Sequence, residues 1–246
     1  MAQSGTNGTV DAGEIARFAK AAPRWWDEAG EFRPLHRLNP VRLQFIRDRL
    51  AGHFRRDVRA AKPFAGLRLL DIGCGGGLVA EPMARLGFAV TGIDADTTAL
   101  DVARAHAAQS GLEIDYRAAA VEDLDTQFDA VLALEVAEHA SDPALFLDTI
   151  ARLVAQGGAF AGSTLNRTAK SFLFAIVGAE YVLRWLPRGT HRWAKFLAPS
   201  EVAAALRGGG LSVRAVEGLN YDPLHDLWKL GRDTGVNYLI FAIKPK

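Results

Sequence analysis

Cysteine is almost absent from this 246-residue chain. The single Cys74 can neither close an internal disulfide nor build a thiolate zinc cage, which points to a reducing compartment, read here as the cytoplasm. Long apolar runs are missing too: no stretch reaches the roughly 18 charge-free residues of a membrane-spanning helix. The nearest, Phe172 to Leu186, is broken by Glu180 and Arg184. Charge of one sign is also lacking, since 29 Lys and Arg against 28 Asp and Glu leave +1. Without a positive excess to bind phosphates, no nucleic-acid partner is expected. Residues 1–13 are small and polar, with neither the apolar core of a signal peptide nor an arginine-rich transit pattern, and are expected to form a flexible tail.

What is present is an ordinary globular composition, 49% hydrophobic and 23% charged, long enough for one large or two small domains. From about residue 62 strands and helices alternate, the pattern of a sheet covered on both faces. The apolar runs Leu67 to Gly73, Phe88 to Ile93, Glu113 to Arg117, Phe128 to Leu134 and Gly158 to Thr164 read as five strands. Leu211 to Gly218 and Val236 to Ile243 add two late ones. Helices are expected from Leu78 to Leu86, after Asp96 as N-cap, after Asp142-Pro143, and from Pro199 to Leu206. The expected architecture is therefore α/β: a doubly wound, Rossmann-like fold with a mostly parallel seven-stranded sheet. A helical segment (residues 14–61) precedes the main domain (62–246), and a helical insertion (167–198) follows the fifth strand.

The strongest chemical signal is Asp71-Ile72-Gly73-Cys74-Gly75-Gly76-Gly77, a glycine-rich loop where the first strand turns into a helix. Such a loop lets a ligand approach the backbone in the crevice at the carboxyl ends of the strands. A dinucleotide fingerprint counted from Gly73 requires a third glycine at position 78, which is Leu78. Asp71 two residues before Gly73, glycines at 73, 75 and 77, and Asp94 ending the second strand fit S-adenosylmethionine instead. In that arrangement Asp94 accepts hydrogen bonds from the ribose hydroxyls and the backbone around Gly73 and Gly75 lies against the methionine part.

Absences narrow the methyl acceptor. Methylation at cytosine C5 needs a cysteine nucleophile after the fourth strand, but the sole cysteine lies in the glycine loop. Amino methylation of bases typically places Asn or Asp, two prolines and an aromatic there, whereas this chain has Leu134-Glu135-Val136-Ala137-Glu138-His139. On a helical turn, Glu135, Glu138 and His139 fall at i, i+3 and i+4 and can face the crevice together. They could hold a divalent cation, Mg²⁺ ahead of Zn²⁺ given the oxygen ligands. The same residues also suit a capped turn without metal, in which His139 hydrogen-bonds the backbone or serves as a catalytic base. Spacing alone leaves both readings open. A cation would solve one problem: a phenol titrates near pH ~10, so only about one in a thousand is ionised at pH 7.

Beyond these motifs the chain resembles the bacterial ubiquinone-biosynthesis O-methyltransferases from Ile15 to Tyr238. The resemblance is carried by RWWDEAGEFRPLHRLNPVRL (Arg24 to Leu43), LLDIGCGGGLVAEPMARLG (Leu69 to Gly87), STLNRTAKS (Ser163 to Ser171), VGAEYVLR (Val177 to Arg184), PRGTHRWAKF (Pro187 to Phe196) and KLGRDTGVNY (Lys229 to Tyr238). It implies methylation of ring hydroxyls in polyprenylated catechols, 2-polyprenyl-6-hydroxyphenol and 3-demethylubiquinol, with S-adenosylmethionine as donor. It also implies that Arg42, Gly73, Asp94 and the position of Leu134 bind the cofactor, and that Glu135, Glu138 and His139 are the metal ligands. Leu134 stands where the family commonly has methionine, a volume-conserving exchange. Alternatives of other kinds are an O-methyltransferase of another small phenol and a non-catalytic cofactor-binding subunit of a biosynthetic complex.

Between Arg167 and Phe196 six basic residues (Arg167, Lys170, Arg184, Arg188, Arg192, Lys195) face one acid, Glu180. They flank an apolar stretch in which Phe172, Ile176, Ala179 and Leu183 share a helical face. This segment is expected to lie against an anionic membrane on the inner face of the cell membrane, with Trp185 at the boundary. A lid packed on the protein's own core is the other reading.

Overall fold

The structure, a computed structural model, describes residues 22–30, 32–172 and 193–246. Its parallel strands are β1 (Arg68–Ile72), β2 (Ala89–Asp94), β3 (Asp115–Ala118), β4 (Phe128–Leu134) and β5 (Val154–Leu165). They are joined by β6 (Ser212–Asp222), β7 (Leu227–Gly231) and β8 (Asn237–Ile243) in one sheet of order β3-β2-β1-β4-β5-β8-β6-β7. β8 runs antiparallel to β5 and to β6, and β6 and β7 form an antiparallel hairpin.

The sheet has eight strands rather than the expected seven. The added β7 is an edge strand covered on one side by β6, and Leu227 at its start is exposed, so it lacks the apolar run by which the central strands announce themselves. β5 also begins earlier than expected, directly at the end of the preceding helix, and its irregular start shows as a register shift in which Val154 to Ala159 on β5 oppose Phe128 to Ala130 on β4.

Among the described residues, five helices longer than one turn flank the sheet: α1 (Arg33–Phe54), α2 (Ala80–Arg85), α3 (Thr97–Gln109), α4 (Pro143–Leu153) and α5 (Pro199–Gly208). Alternation along β1 sends Leu69 to one face and Leu70 to the other. Leu69 joins Phe45, Leu50, Met83 and Leu100 from α1, α2 and α3, while Leu70 joins Phe146, Ile150 and Leu206 from α4 and α5. Each of these side chains contributes roughly 1.5–3 kcal/mol by leaving water.

The cap signals hold. Asp96 accepts from the backbone N–H of Thr98 and Ala99, and Asp142 from those of Ala144 and Leu145 at 3.0 Å each. Of the N-terminal helical segment, α1 and a 3₁₀ turn at Ala22–Arg24 are present. The tail at 1–13 and the insertion's apolar stretch beyond Phe172, including Ile176, Trp185, Arg184, Arg188 and Arg192, lie outside the described residues.

Candidate active site

Strand order reverses between β1 and β4, which opens a crevice at the carboxyl ends of these strands. Gly73 follows β1, Asp94 ends β2 and Leu134 ends β4, so the three strand ends bring the predicted donor residues together. Gly73 and Gly75 both have positive φ (67° and 51°), a conformation that suits glycine. Asp94 ties the loop down: its carboxylate accepts from the N–H of Gly75 at 2.8 Å and of Asp96 at 2.9 Å. Each oxygen keeps a second lone pair, so a ribose diol can still be held. Leu134 is buried among apolar neighbours.

Arg42 reaches this crevice from α1. It is buried, its Nη2 donates to Asn39 Oδ1 at 2.9 Å, and Asn39 in turn donates to the carbonyl of Leu78 at 2.8 Å. Arg42 Nε and Asp71 Oδ2 are buried without hydrogen-bond partners. Burial pulls Arg42 down from its ordinary range while the charges of Glu135 and Asp71 oppose it. A zwitterionic, cationic ligand supplies what both atoms lack: a carboxylate for the guanidinium and positive charge for Asp71. Asn39 was not legible as a site residue, although its i,i+3 spacing from Arg42 on α1 is the available signal.

Burial raises Asp71 to about 7, with Arg42 opposing the shift and Asp94 adding to it. The folded value lies above the unfolded one, so the stability Asp71 allows is complete below pH ~4 and is lost as pH rises toward 7. Asp71→Asn should therefore flatten the fall in melting temperature of ligand-free protein between pH 5 and pH 8, measured by calorimetry. An unchanged slope would remove Asp71 as its source. Asp94→Ala should weaken S-adenosylmethionine binding roughly ten- to a hundredfold, for charge-assisted hydrogen bonds worth about 1.5–3 kcal/mol. Titration calorimetry on the folded variant checks this, and unchanged affinity would exclude Asp94 from the site.

The second half of the crevice departs from expectation. Glu135 stands at φ 56°, outside the 3₁₀ turn that spans Ala137–His139, so Glu135, Glu138 and His139 do not share one helical face. Left-handed backbone at a non-glycine residue costs roughly 1–2 kcal/mol. Here β5 holds it: Glu135 N–H donates to the carbonyl of Ser163, and Ser163 Oγ donates to Glu135 Oε1 at 2.7 Å. Glu138 is buried, with Oε2 accepting from Thr164 Oγ1 at 2.8 Å and Oε1 lacking any hydrogen-bond partner. Burial, and then the neighbouring charge of Glu135, push Glu138 well above the usual carboxylate range.

Two facing carboxylates with an unsatisfied buried oxygen fit a cation or a shared proton. The third ligand does not close the set, because no three His, Cys, Asp or Glu side chains converge on a metal site among the described residues. Ser163, Thr164 and Asn237, whose Nδ2 lies 3.4 Å from Glu135 Oε1, are supporting residues that the sequence reading missed. Their signal is a pair of hydroxyls at the carboxyl end of an otherwise apolar strand. Cys74 is buried, and burial raises its thiol well above its ordinary value, which disfavours the thiolate a nucleophile needs.

A methyltransferase domain model matches residues 70–162, which run from β1 into β5. The ubiquinone biosynthesis O-methyltransferase of Chelativorans sp. is 54% identical over 240 residues, covering 96% of this chain and 95% of the relative. That of Brucella anthropi is 52% identical, covering 96% and 97%. The chain belongs to this family. It is an S-adenosylmethionine-dependent O-methyltransferase of ubiquinone biosynthesis. Among solved structures, magnesium protoporphyrin IX methyltransferase from Synechocystis PCC 6803 shares the fold at TM-score 0.64 and 15% identity, covering 94% of this chain and 99% of that one. Arg42, on α1, lies outside the matched domain.

Proposed function

We propose that the acceptor is a polyprenylated catechol, methylated on a ring hydroxyl, with 2-polyprenyl-6-hydroxyphenol and 3-demethylubiquinol as its two forms. The observation that carries this reading is the carboxylate pair of half-buried Glu135 and buried Glu138 beside the donor residues at the end of β4. The acceptor oxygen forms a bond to the methyl carbon as the carbon–sulfur bond breaks, leaving a neutral thioether and a methyl ether. The phenolic proton must leave, and His139, at the end of the 3₁₀ turn, is its acceptor in this reading. Arg42, Asp94 and the glycine loop fix the donor, so catalysis comes mainly from positioning. Glu135 and Glu138 would hold a divalent cation, Mg²⁺ ahead of Zn²⁺, since Mg²⁺ is commonly held by one or two carboxylates with substrate oxygens. Bound there, it would favour the phenolate and orient both catechol oxygens.

The test is methyl transfer to a prenylated catechol and to a soluble one, each with and without chelator. Turnover suppressed by chelator and restored by Mg²⁺, with donor binding intact, is the expected result. Full activity in metal-free protein would end the cation role and leave His139 alone. Transfer to soluble catechols only would point to another phenolic acceptor, and no transfer at all to a non-catalytic subunit.

Where the prenyl tail resides argues for peripheral association with the inner face of the cell membrane. Among the described residues no helix is long and apolar enough to cross a membrane. Phe172 and Trp193, at the two edges of the undescribed segment, are exposed, and Trp193 Nε1 donates to the carbonyl of Thr168 at 2.9 Å. Of the six basic residues, Arg167 pairs with Glu201 and Lys170 with Asp233, so the membrane charge in this reading is placed on the other four, Lys195 and the arginines Arg184, Arg188 and Arg192. Each nearby basic residue is worth about 1 kcal/mol on an anionic surface. Sedimentation should show stronger binding to anionic than to neutral vesicles, released by salt and weakened by serine at those three arginines. Indifference to anionic vesicles at low salt would mean delivery of the acceptor through a ubiquinone-biosynthesis complex.

A further inference from the structure

The glycine loop has a cover that comes from outside the sheet. Just after the 3₁₀ turn at Ala22–Arg24, Trp25 and Trp26 cross the loop side by side. A Cβ placed on Gly75 would stand 2.6 Å from Trp25 Cζ2, and one on Gly76 would stand 2.5 Å from Trp25 Cγ. The indole is thus in van der Waals contact with the two glycines next to the Asp94 clamp.

The position is fixed from several sides. The Trp25 ring stacks on Phe32 at 3.9 Å between centroids, 13° from parallel, and its carbonyl accepts from His36 Nε2 at 2.8 Å. Trp26 Nε1 donates to the carbonyl of Gly76 at 2.9 Å. Its ring stacks on His106 at 3.5 Å and 6°, and His106 Nδ1 lies 2.6 Å from the buried carboxylate of Glu81. Against this ordered surround, Trp25 Nε1 is buried with no hydrogen-bond partner. An indole N–H is a donor only, so a ligand that satisfies it brings an acceptor oxygen. An indole face also attracts a desolvated cation. S-adenosylmethionine carries both features, in its carboxylate and ribose oxygens and in its sulfonium.

We propose that Trp25 is a binding residue for S-adenosylmethionine, closing the glycine loop from the N-terminal side, with Trp26 a positioning residue that anchors it through Gly76 and His106. Its aromatic body covers the ligand and its N–H donates to a ligand oxygen.

The experiment follows binding of S-adenosylhomocysteine and S-adenosylmethionine to the full chain without acceptor, so its outcome is independent of which phenol is methylated. Titration of wild type should change tryptophan emission. Trp25→Phe should remove most of that change and weaken both ligands about tenfold, and Trp25→Leu should weaken S-adenosylmethionine further if the sulfonium lies on the ring. Trp228→Phe, on the β6–β7 hairpin, should keep both the response and the affinity. Ultraviolet irradiation of wild type with methyl-labelled S-adenosylmethionine needs no variant and should label the tryptic peptide Trp25–Arg37, since the Arg33–Pro34 bond resists cleavage. Wild-type affinity in Trp25→Phe and Trp25→Leu, or label confined to other peptides, would overturn the assignment.

Discussion

Glu138→Gln should lower turnover about 10²- to 10⁴-fold while leaving donor affinity near wild type and raising thermal stability at pH 8. The opposite signs come from one fact. Glu138 is buried, and its carboxyl is raised by burial and by the charge of Glu135, so its ionisation opposes folding. The sign follows from linkage: with the folded value above the unfolded one, stability is lost as pH rises through the folded value. Glutamine keeps the shape and can still accept from Thr164 Oγ1, but removes the ionisation. In the proposed reading that cost to stability is met because the reaction needs a carboxylate beside Glu135. Stopped-flow or single-turnover methyl transfer, with calorimetric melting at pH 5 and pH 8, reads both quantities. Unchanged turnover would sink the catalytic role; unchanged melting would mean that Glu138 is not the destabilising group.

Much of this site is legible in the sequence because it sits at strand ends. Asp71, Gly73 and Asp94 are marked by where apolar runs stop, and the sheet brings those stops together whatever the loops do. The caps at Asp96 and Asp142 are equally local and equally readable. Glu135 is different. Helical spacing predicted a shared face with Glu138 and His139, yet the chain turns left-handed at Glu135 because Ser163, on the neighbouring strand, holds both its backbone and its side chain. That contact spans 28 residues in sequence, and no periodicity encodes it. The same holds for the cover over the glycine loop: Trp26 and Gly76 are 50 residues apart, and the pair of tryptophans reads locally as nothing more than an aromatic turn. β7 escaped for a simpler reason, since a half-exposed edge strand needs no apolar run.

The second large effect is expected at the loop itself, and a pair of glycines isolates it. Gly66 and Gly73 have similar positive φ, 84° and 67°, so alanine at either pays the same kind of backbone strain, roughly 1–2 kcal/mol. Their surroundings differ. Nothing lies within 4 Å of a Cβ at Gly66, whereas a Cβ at Gly73 would stand 2.5 Å from Val136 Cγ2. Val136 lies between Glu135 and Glu138, so relief of that clash must displace either the donor loop or the segment that carries the two carboxylates. Gly66→Ala should therefore lower melting by a few degrees and leave donor affinity and turnover unchanged. Gly73→Ala should show the same loss of stability or more, weaken the donor by a further hundredfold or so, about 2.7 kcal/mol, and lower turnover at saturating donor. Calorimetric titration with S-adenosylhomocysteine and a saturated turnover assay on both variants give the comparison. If Gly73→Ala behaves like Gly66→Ala, the close approach of Gly73 to Val136 has no part in binding, and the glycine is there for its φ alone.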